Sequence, residues 1–244
     1  MRQFLRGAAV ATAMTFAFAG VATAQDPDGP TNTIVNAPAK KPAVNGWTGE
    51  VAPANSDEGI TLDAHQKTLV DKVSAYFQSL QSLKGSFTQV DADNKKMKGK
   101  FFVKRPGRFR FDYALPSRQI IVSDGQNLAI QDLDLNNEDR VSLDQTPFRL
   151  LLREDVNLQR DAKILEVQES EDLIVLTLED KDPNSPGRIK LFLAAKPVME
   201  LKEWVTTDAQ GQDTRIQLSQ LVKTDDLDGN LFKIQSLWPK SATP

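Results

Sequence analysis

The chain has 244 residues, 40% of them hydrophobic, which is enough to bury a sizeable core, and its 30 basic against 33 acidic residues give a formal net charge of -3. That balance argues against nucleic acid as a partner, because phosphate backbones select a concentrated basic surface. Cysteine is absent, which excludes a disulfide framework and thiol chemistry, and the single histidine, His65, has no second histidine or cysteine with which to share a proton or a metal.

Residues 1–24 place Arg2 and Arg6 ahead of an alanine-rich apolar run and end in Ala22-Thr23-Ala24, the pattern of a cleaved secretory signal. The run is shorter than the roughly 20 apolar residues that span a bilayer. With no cysteine to be lipidated, a soluble secreted product is expected. It keeps 28 of the 30 basic residues and all 33 acidic ones, a net charge of -5. Residues 25–59 are rich in Pro, Asn, Ala, Gly and Thr without apolar period and read as a flexible leader.

Leu62, Leu69, Val73, Phe77, Leu80 and Leu83 then recur at helical spacing, predicting an amphipathic helix over 62–83 with His65 exposed or capping near its start. From Gly85 the period becomes two. A strand over 86–90, with Phe87 inward, leads through a polar turn to a second over 99–105. There Phe101, Val103 and Arg105 share one parity, while Lys100 and Lys104 mark the other as solvent, so Arg105 points where the apolar residues point. Pro106-Gly107 supplies a corner, after which Phe109, Phe111 and Tyr113 alternate with Arg108, Arg110 and Asp112. Ile120 and Val122 enter, and Leu128 and Ile130 leave, a hairpin marked by Ser123-Asp124-Gly125.

The acidic run from Asp132 to Asp139 fails the calcium-loop pattern, since Asn137 stands where glycine is needed and Leu143 where a bidentate acid is needed, and it reads as a turn. Thr146-Pro147 has the form of a cap followed by proline at the first helical position, predicting a short apolar helix that carries Leu150 and Leu151. Strands resume over 164–168, 173–179, 188–194, 199–206 and 214–221 at hairpin spacing. About eleven strands against one long and one short helix predict a mainly β fold with some α. A barrel wider than eight strands leaves interior volume that helices or an apolar ligand must fill. The expected lining is Phe87, Phe101, Val103, Phe109, Phe111, Tyr113, Ile120, Val122, Leu128, Ile130, Leu150 and Leu151, faced by Leu69, Val73, Phe77 and Leu80 of the long helix. No Gly-x-Ser-x-Gly elbow, metal-spaced histidine pair or Gly-rich phosphate loop occurs, so no enzyme, metal or cofactor is expected.

Ser86-Phe87-Thr88-Gln89, the run from Val103 to Tyr113, Ile121-Val122-Ser123-Asp124-Gly125 and Thr146-Pro147 resemble, in this order, the periplasmic outer-membrane lipoprotein carrier family, LolA-like, over about residues 62–232. The resemblance implies an incomplete antiparallel β-barrel of eleven strands closed by a helical lid over an apolar cavity, here a carrier domain over 60–236 with a tail over 237–244. It implies a lid-locking role for Arg105, to which carbonyls at helix ends would be natural partners, and a cavity position for Phe109. The implied partners are triacylated lipoproteins as cargo, an inner-membrane ABC-type lipoprotein-releasing complex and an outer-membrane lipoprotein receptor, with the carrier a monomer. A lipid- or lipoprotein-sensing regulatory module on a similar half-barrel is the alternative. Where relatives commonly carry aromatics after the Ser-Asp-Gly hairpin, this chain has Leu128-Ala129-Ile130-Gln131. Its leader is longer than usual and the stretch after Phe232 is short.

Overall fold

The computed structural model describes residues 59–208 and 211–237. The expected signal segment, all but the last residue of the expected leader, and residues 238–244 of the expected tail lie outside the described residues. Eleven strands form one antiparallel sheet: β1 (Ser82–Val90), β2 (Lys96–Lys104), β3 (Arg108–Tyr113), β4 (Gln119–Asp124), β5 (Asn127–Asp132), β6 (Asn137–Ser142), β7 (Ala162–Glu169), β8 (Leu173–Asp180), β9 (Arg188–Ala194), β10 (Glu200–Thr207) and β11 (Asp213–Lys223). The order is β6-β5-β4-β3-β2-β1-β11-β10-β9-β8-β7, so every strand pairs with its sequence neighbour and β1 with β11 joins the two runs. A closed ring would need β6 to pair with β7. The two instead stand at opposite edges, so the barrel is incomplete, and the chain between them carries α2 (Arg149–Leu152) and α3 (Leu158–Asp161).

The long helix α1 (Ala64–Ser79) starts at a capping box: Asp63 Oδ1 accepts from the Gln66 amide at 2.8 Å, and Gln66 Oε1 accepts from the Asp63 amide at 3.0 Å. It ends four residues before the predicted Leu83, with Leu80 already extended. The reason is a competing sheet, since Leu83 pairs with Val103 and its side chain joins the cluster of Phe87 and Phe101. β1 therefore begins at Ser82 rather than 86 and carries Gly85 inside it, where a Cβ would stand 2.8 Å from the Phe101 ring.

The helix predicted at Thr146-Pro147 shrinks to the four residues of α2. The Thr146 hydroxyl donates to the Leu143 carbonyl of the preceding 3-10 turn at 2.8 Å instead of capping. What fixes α2 is charge: Arg149 forks onto Asp180 at the end of β8, Nε to Oδ2 at 2.5 Å and Nη2 to Oδ1 at 2.7 Å, and this pairing raises the Arg149 pKa. The acidic stretch taken for a turn is a turn only around Asp132, whose Oδ1 accepts from the amides of Asp134 and Leu135. Its second half is the polar edge strand β6.

Register sets which residues share a face, because directly paired residues point the same way. One face joins Phe87, Phe101, Phe109 and Phe111 to Ile121 and Ser123, then to Leu128 and Ile130, and on the other side to Leu218, Ile216 and Trp204. Ile120 and Val122 pair with Asp112 and Arg110 and so lie on the opposite face, which corrects their assignment to the lining. The parity slipped in the loop before β4, and Ile120-Ile121-Val122 gave no warning because it is apolar on both sides.

The opposite face is apolar there because the C-terminal segment crosses it. A 3-10 turn at Gly229–Phe232 packs on β3 and β4. Lys104 Nζ donates to the Leu227 carbonyl at 2.8 Å, Arg110 Nη1 to that of Leu231 at 3.2 Å and Gln131 Nε2 to that of Gln235 at 2.6 Å. Val122, Ala129, Leu227 and Phe232 are all buried.

Candidate functional site

The inner face divides into two. α1 lays Leu69, Val70, Val73 and Phe77 onto β7–β10, where Leu176, Leu178, Ile189, Leu191 and Leu193 complete an aliphatic core. Tyr76 reaches through to accept the Leu201 amide at 2.9 Å, and burial raises its pKa. Leu150 and Leu151, expected to line a cavity, belong to this core, as do the expected lid residues Leu69, Val73, Phe77 and Leu80.

The other part is aromatic. Phe111 sits among four rings, with centroids 5.0 Å from Phe87, 5.8 Å from Phe101, 6.0 Å from Phe109 and 6.1 Å from Trp204, mostly edge to face. Phe109 also meets Phe148 at 5.9 Å, and Tyr113 packs on Phe87 at 5.0 Å while its hydroxyl donates to Gln89. Burial pushes the Tyr113 phenol up, which keeps it neutral. Phe87, Phe101, Phe109 and Leu128 are buried, but Val103, Phe111, Ile121, Ile130, Trp204 and Leu218 are only half-buried. Phe148, Ile121, Leu218 and Trp204 were absent from the predicted lining. For Trp204 the cause is a register shift between Leu201 and Glu203, which period-two counting does not register.

Where the two parts meet stands Arg105. Its Nη1 donates to the carbonyl of Phe77 in the last turn of α1, and its Nη2 to that of Glu154, between α2 and α3, at 3.2 Å. Nε is buried with no hydrogen-bond partner among the described residues. Burial lowers the guanidinium pKa and the Glu154 carboxylate acts in the opposite sense. Arginine nonetheless remains charged at physiological pH.

Two turns hold this residue in place. Gly107, at φ +69°, packs against the Gly125 turn so closely that a Cβ would come within 2.9 Å of Gly125 Cα. The Ser123 hydroxyl donates to the Gly107 carbonyl at 2.8 Å, and the Gly107 amide donates to the Leu152 carbonyl at 2.9 Å. Arg105-Pro106-Gly107 and Ser123-Asp124-Gly125 are thus one structural unit, stapled to the end of α2. A cleft of about 360 Å³ opens beside it, lined by Pro106, Gly125, Leu143, Arg149 and Glu154 among others. His65 lies apart, pairing through Nε2 with Glu169 at 2.7 Å on the surface.

The family model described as "Outer membrane lipoprotein carrier protein LolA" matches residues 78–235, which include both turns, the aromatic wall and the C-terminal crossing. The chain belongs to the LolA family. An outer-membrane lipoprotein carrier protein of Halorhodospira halophila is 26% identical over 186 residues, covering 72% of this chain and 86% of its own length. One from Methylococcus capsulatus is 30% identical over 177 residues, covering 69% and 84%. Among solved structures, a LolA superfamily protein from Nitrosomonas europaea aligns over 68% of this chain and 97% of its own, at 11% identity and a TM-score of 0.38. Membership makes lipoprotein carriage the role of the family to which this sheet belongs. No helix among the described residues is long and apolar enough to cross a membrane.

Proposed function

We propose that this protein is a periplasmic carrier, released from its signal after Ala24, that takes lipoproteins from an inner-membrane ABC-type releasing complex and delivers them as a soluble monomer to an outer-membrane receptor. The aromatic wall around Phe111 and Trp204 receives the acyl chains, and Arg105 pins the end of α1 in the empty state. The observation that carries this reading is the contrast between a finished aliphatic core and half-buried aromatic rings on the same open sheet, with one arginine between them bonded to a carbonyl in the last turn of α1 and to one in the α2–α3 loop.

Magnitudes favour a loosely held cargo. Burying one CH₂ stabilises by about 0.8 kcal/mol, so a sixteen-carbon chain gains roughly 12 kcal/mol. Three chains fully buried would exceed the practical affinity ceiling of about 20 kcal/mol, and a shuttle must release what it binds. The Nε of Arg105, unpartnered among the described residues, suits a latch that opens, since a buried unmet donor costs about 1–3 kcal/mol and weakens the closed state.

The test incubates the purified mature protein with spheroplasts carrying radiolabelled lipoprotein. A soluble complex is expected, and failure to form one would reject the carrier role. Arg105→Leu should still accept lipoprotein but pass it poorly to outer membranes. Normal transfer by that variant would remove the latch while leaving the carrier in place.

A further inference from the structure

The chain is acidic overall, yet one strip of its surface is not. On β2 the residues pointing away from the aromatic wall are Lys96, Lys98, Lys100, Phe102 and Lys104, and the register places Lys84 of β1 beside Phe102 on the same face. Same-face positions recur about every 7 Å along a strand. Lys84, Lys96, Lys98 and Lys100 are exposed and make no ion pair among the described residues.

Two of the nearby acids are already paired to arginines, and two others accept backbone amides at the ends of the strip. Asp112, opposite Lys100, is held by Arg110 Nε at 2.8 Å, and Glu203 by Arg215 at 2.7 Å. At one end of the strip Asp91 Oδ1 accepts the amides of Asp93 and Lys95, and at the other Asp228 Oδ1 accepts the Asn230 amide at 2.9 Å. Beside Lys84, Val222 is 49% exposed.

We propose that this lysine strip on the outer face of β1 and β2 is a docking surface for anionic phospholipid membranes, which brings the carrier to a bilayer while its inner face stays free. Its purpose rests on the carrier reading, though the binding itself does not. The chemistry favours lipid over an acidic protein. The exposed part of the strip, from Lys96 to Lys100, is a row of point charges on flexible stems. The arginines on this face, Arg108 and Arg110, stand opposite Lys104 and Phe102 at its other end, and Arg110 is already held by Asp112 and the Leu231 carbonyl, so the exposed row matches a laterally mobile array of phosphates. The exposed Val222 and half-buried Phe102 add apolar contact at the headgroup boundary.

The experiment floats the chain from Gln25 onward with vesicles of phosphatidylcholine alone or of phosphatidylcholine with phosphatidylglycerol, at low and high salt, without lipoprotein. Binding is expected only to the phosphatidylglycerol vesicles and is expected to disappear at high salt. Each lysine should contribute about fivefold, so the triple variant K96Q/K98Q/K100Q should bind about a hundredfold more weakly. These side chains are exposed, so the thermal midpoint should hold. If the triple variant fails to fold, K98Q alone should show the fivefold loss. Parent protein that ignores phosphatidylglycerol, or a folded variant that binds as well as the parent, overturns the proposal, and capture of the strip by an acidic protein without lipid affinity does the same. Pure lipid is the probe, so this failure leaves lipoprotein capture untouched, and failed capture leaves vesicle binding standing.

Discussion

The two parts of the inner face are built from the same alternating strands yet end in different states. Under α1, Leu178, Ile189, Leu191 and Leu193 are fully buried, and branched aliphatic side chains interdigitate with Val70 and Val73. On β1–β5, joined by Trp204 of β10, the residues are larger, the rings touch mostly edge to face, and Phe111, Ile121 and Trp204 remain half-buried. A helix that satisfies one part leaves the other with apolar area that nothing among the described residues finishes covering. On the proposed reading the first part keeps the protein folded, and the second exchanges its contacts for a ligand's at small cost.

The sharpest way to break this division is to truncate one residue in each part. Leu191→Ala should lose about 2–5 kcal/mol in urea unfolding, the range for a large-to-small change in a closed core. Asp180→Ala, which strands Arg149 beside the same core, should cost about 3 kcal/mol, and adding Arg149→Met should restore much of it. Phe111→Ala should cost less, about 1–3 kcal/mol, while lowering lipoprotein capture far more than either. If it unfolds the protein as badly as Leu191→Ala, the two parts are one core.

A finer test uses register. Val122→Ala should cost about 1–2 kcal/mol by loosening the C-terminal crossing without altering capture, whereas Ile121→Ala, one residue away on the aromatic side, should reduce capture. The smallest effect is expected at His65→Ala, because its exposed pair with Glu169 should be worth under about 1 kcal/mol.

Much of the fold was legible because antiparallel hairpins announce themselves by period two and by turn residues. The last five strands fall within two residues of expectation, and Arg105 could be placed inward from its parity with Phe101 and Val103. What could not be read depends on which second surface covers a strand. Ile120 and Val122 are apolar because Phe232 and its neighbours cross the outer face. Trp204 turns inward through a bulge. Leu83 leaves a helical stripe because a strand competes for it. The aliphatic role of α1 was hidden for the same reason, since periodicity reveals a helix's apolar face but not its partner.

The central claim, that acyl chains lie against the aromatic wall, can be read from Trp204 directly. In a chain carrying Trp47→Phe and Trp238→Phe, the remaining indole should be strongly quenched when the protein is loaded with lipoprotein bearing brominated acyl chains, and unquenched with ordinary chains. A loaded, soluble complex in which brominated chains leave Trp204 emission unchanged would contradict the account.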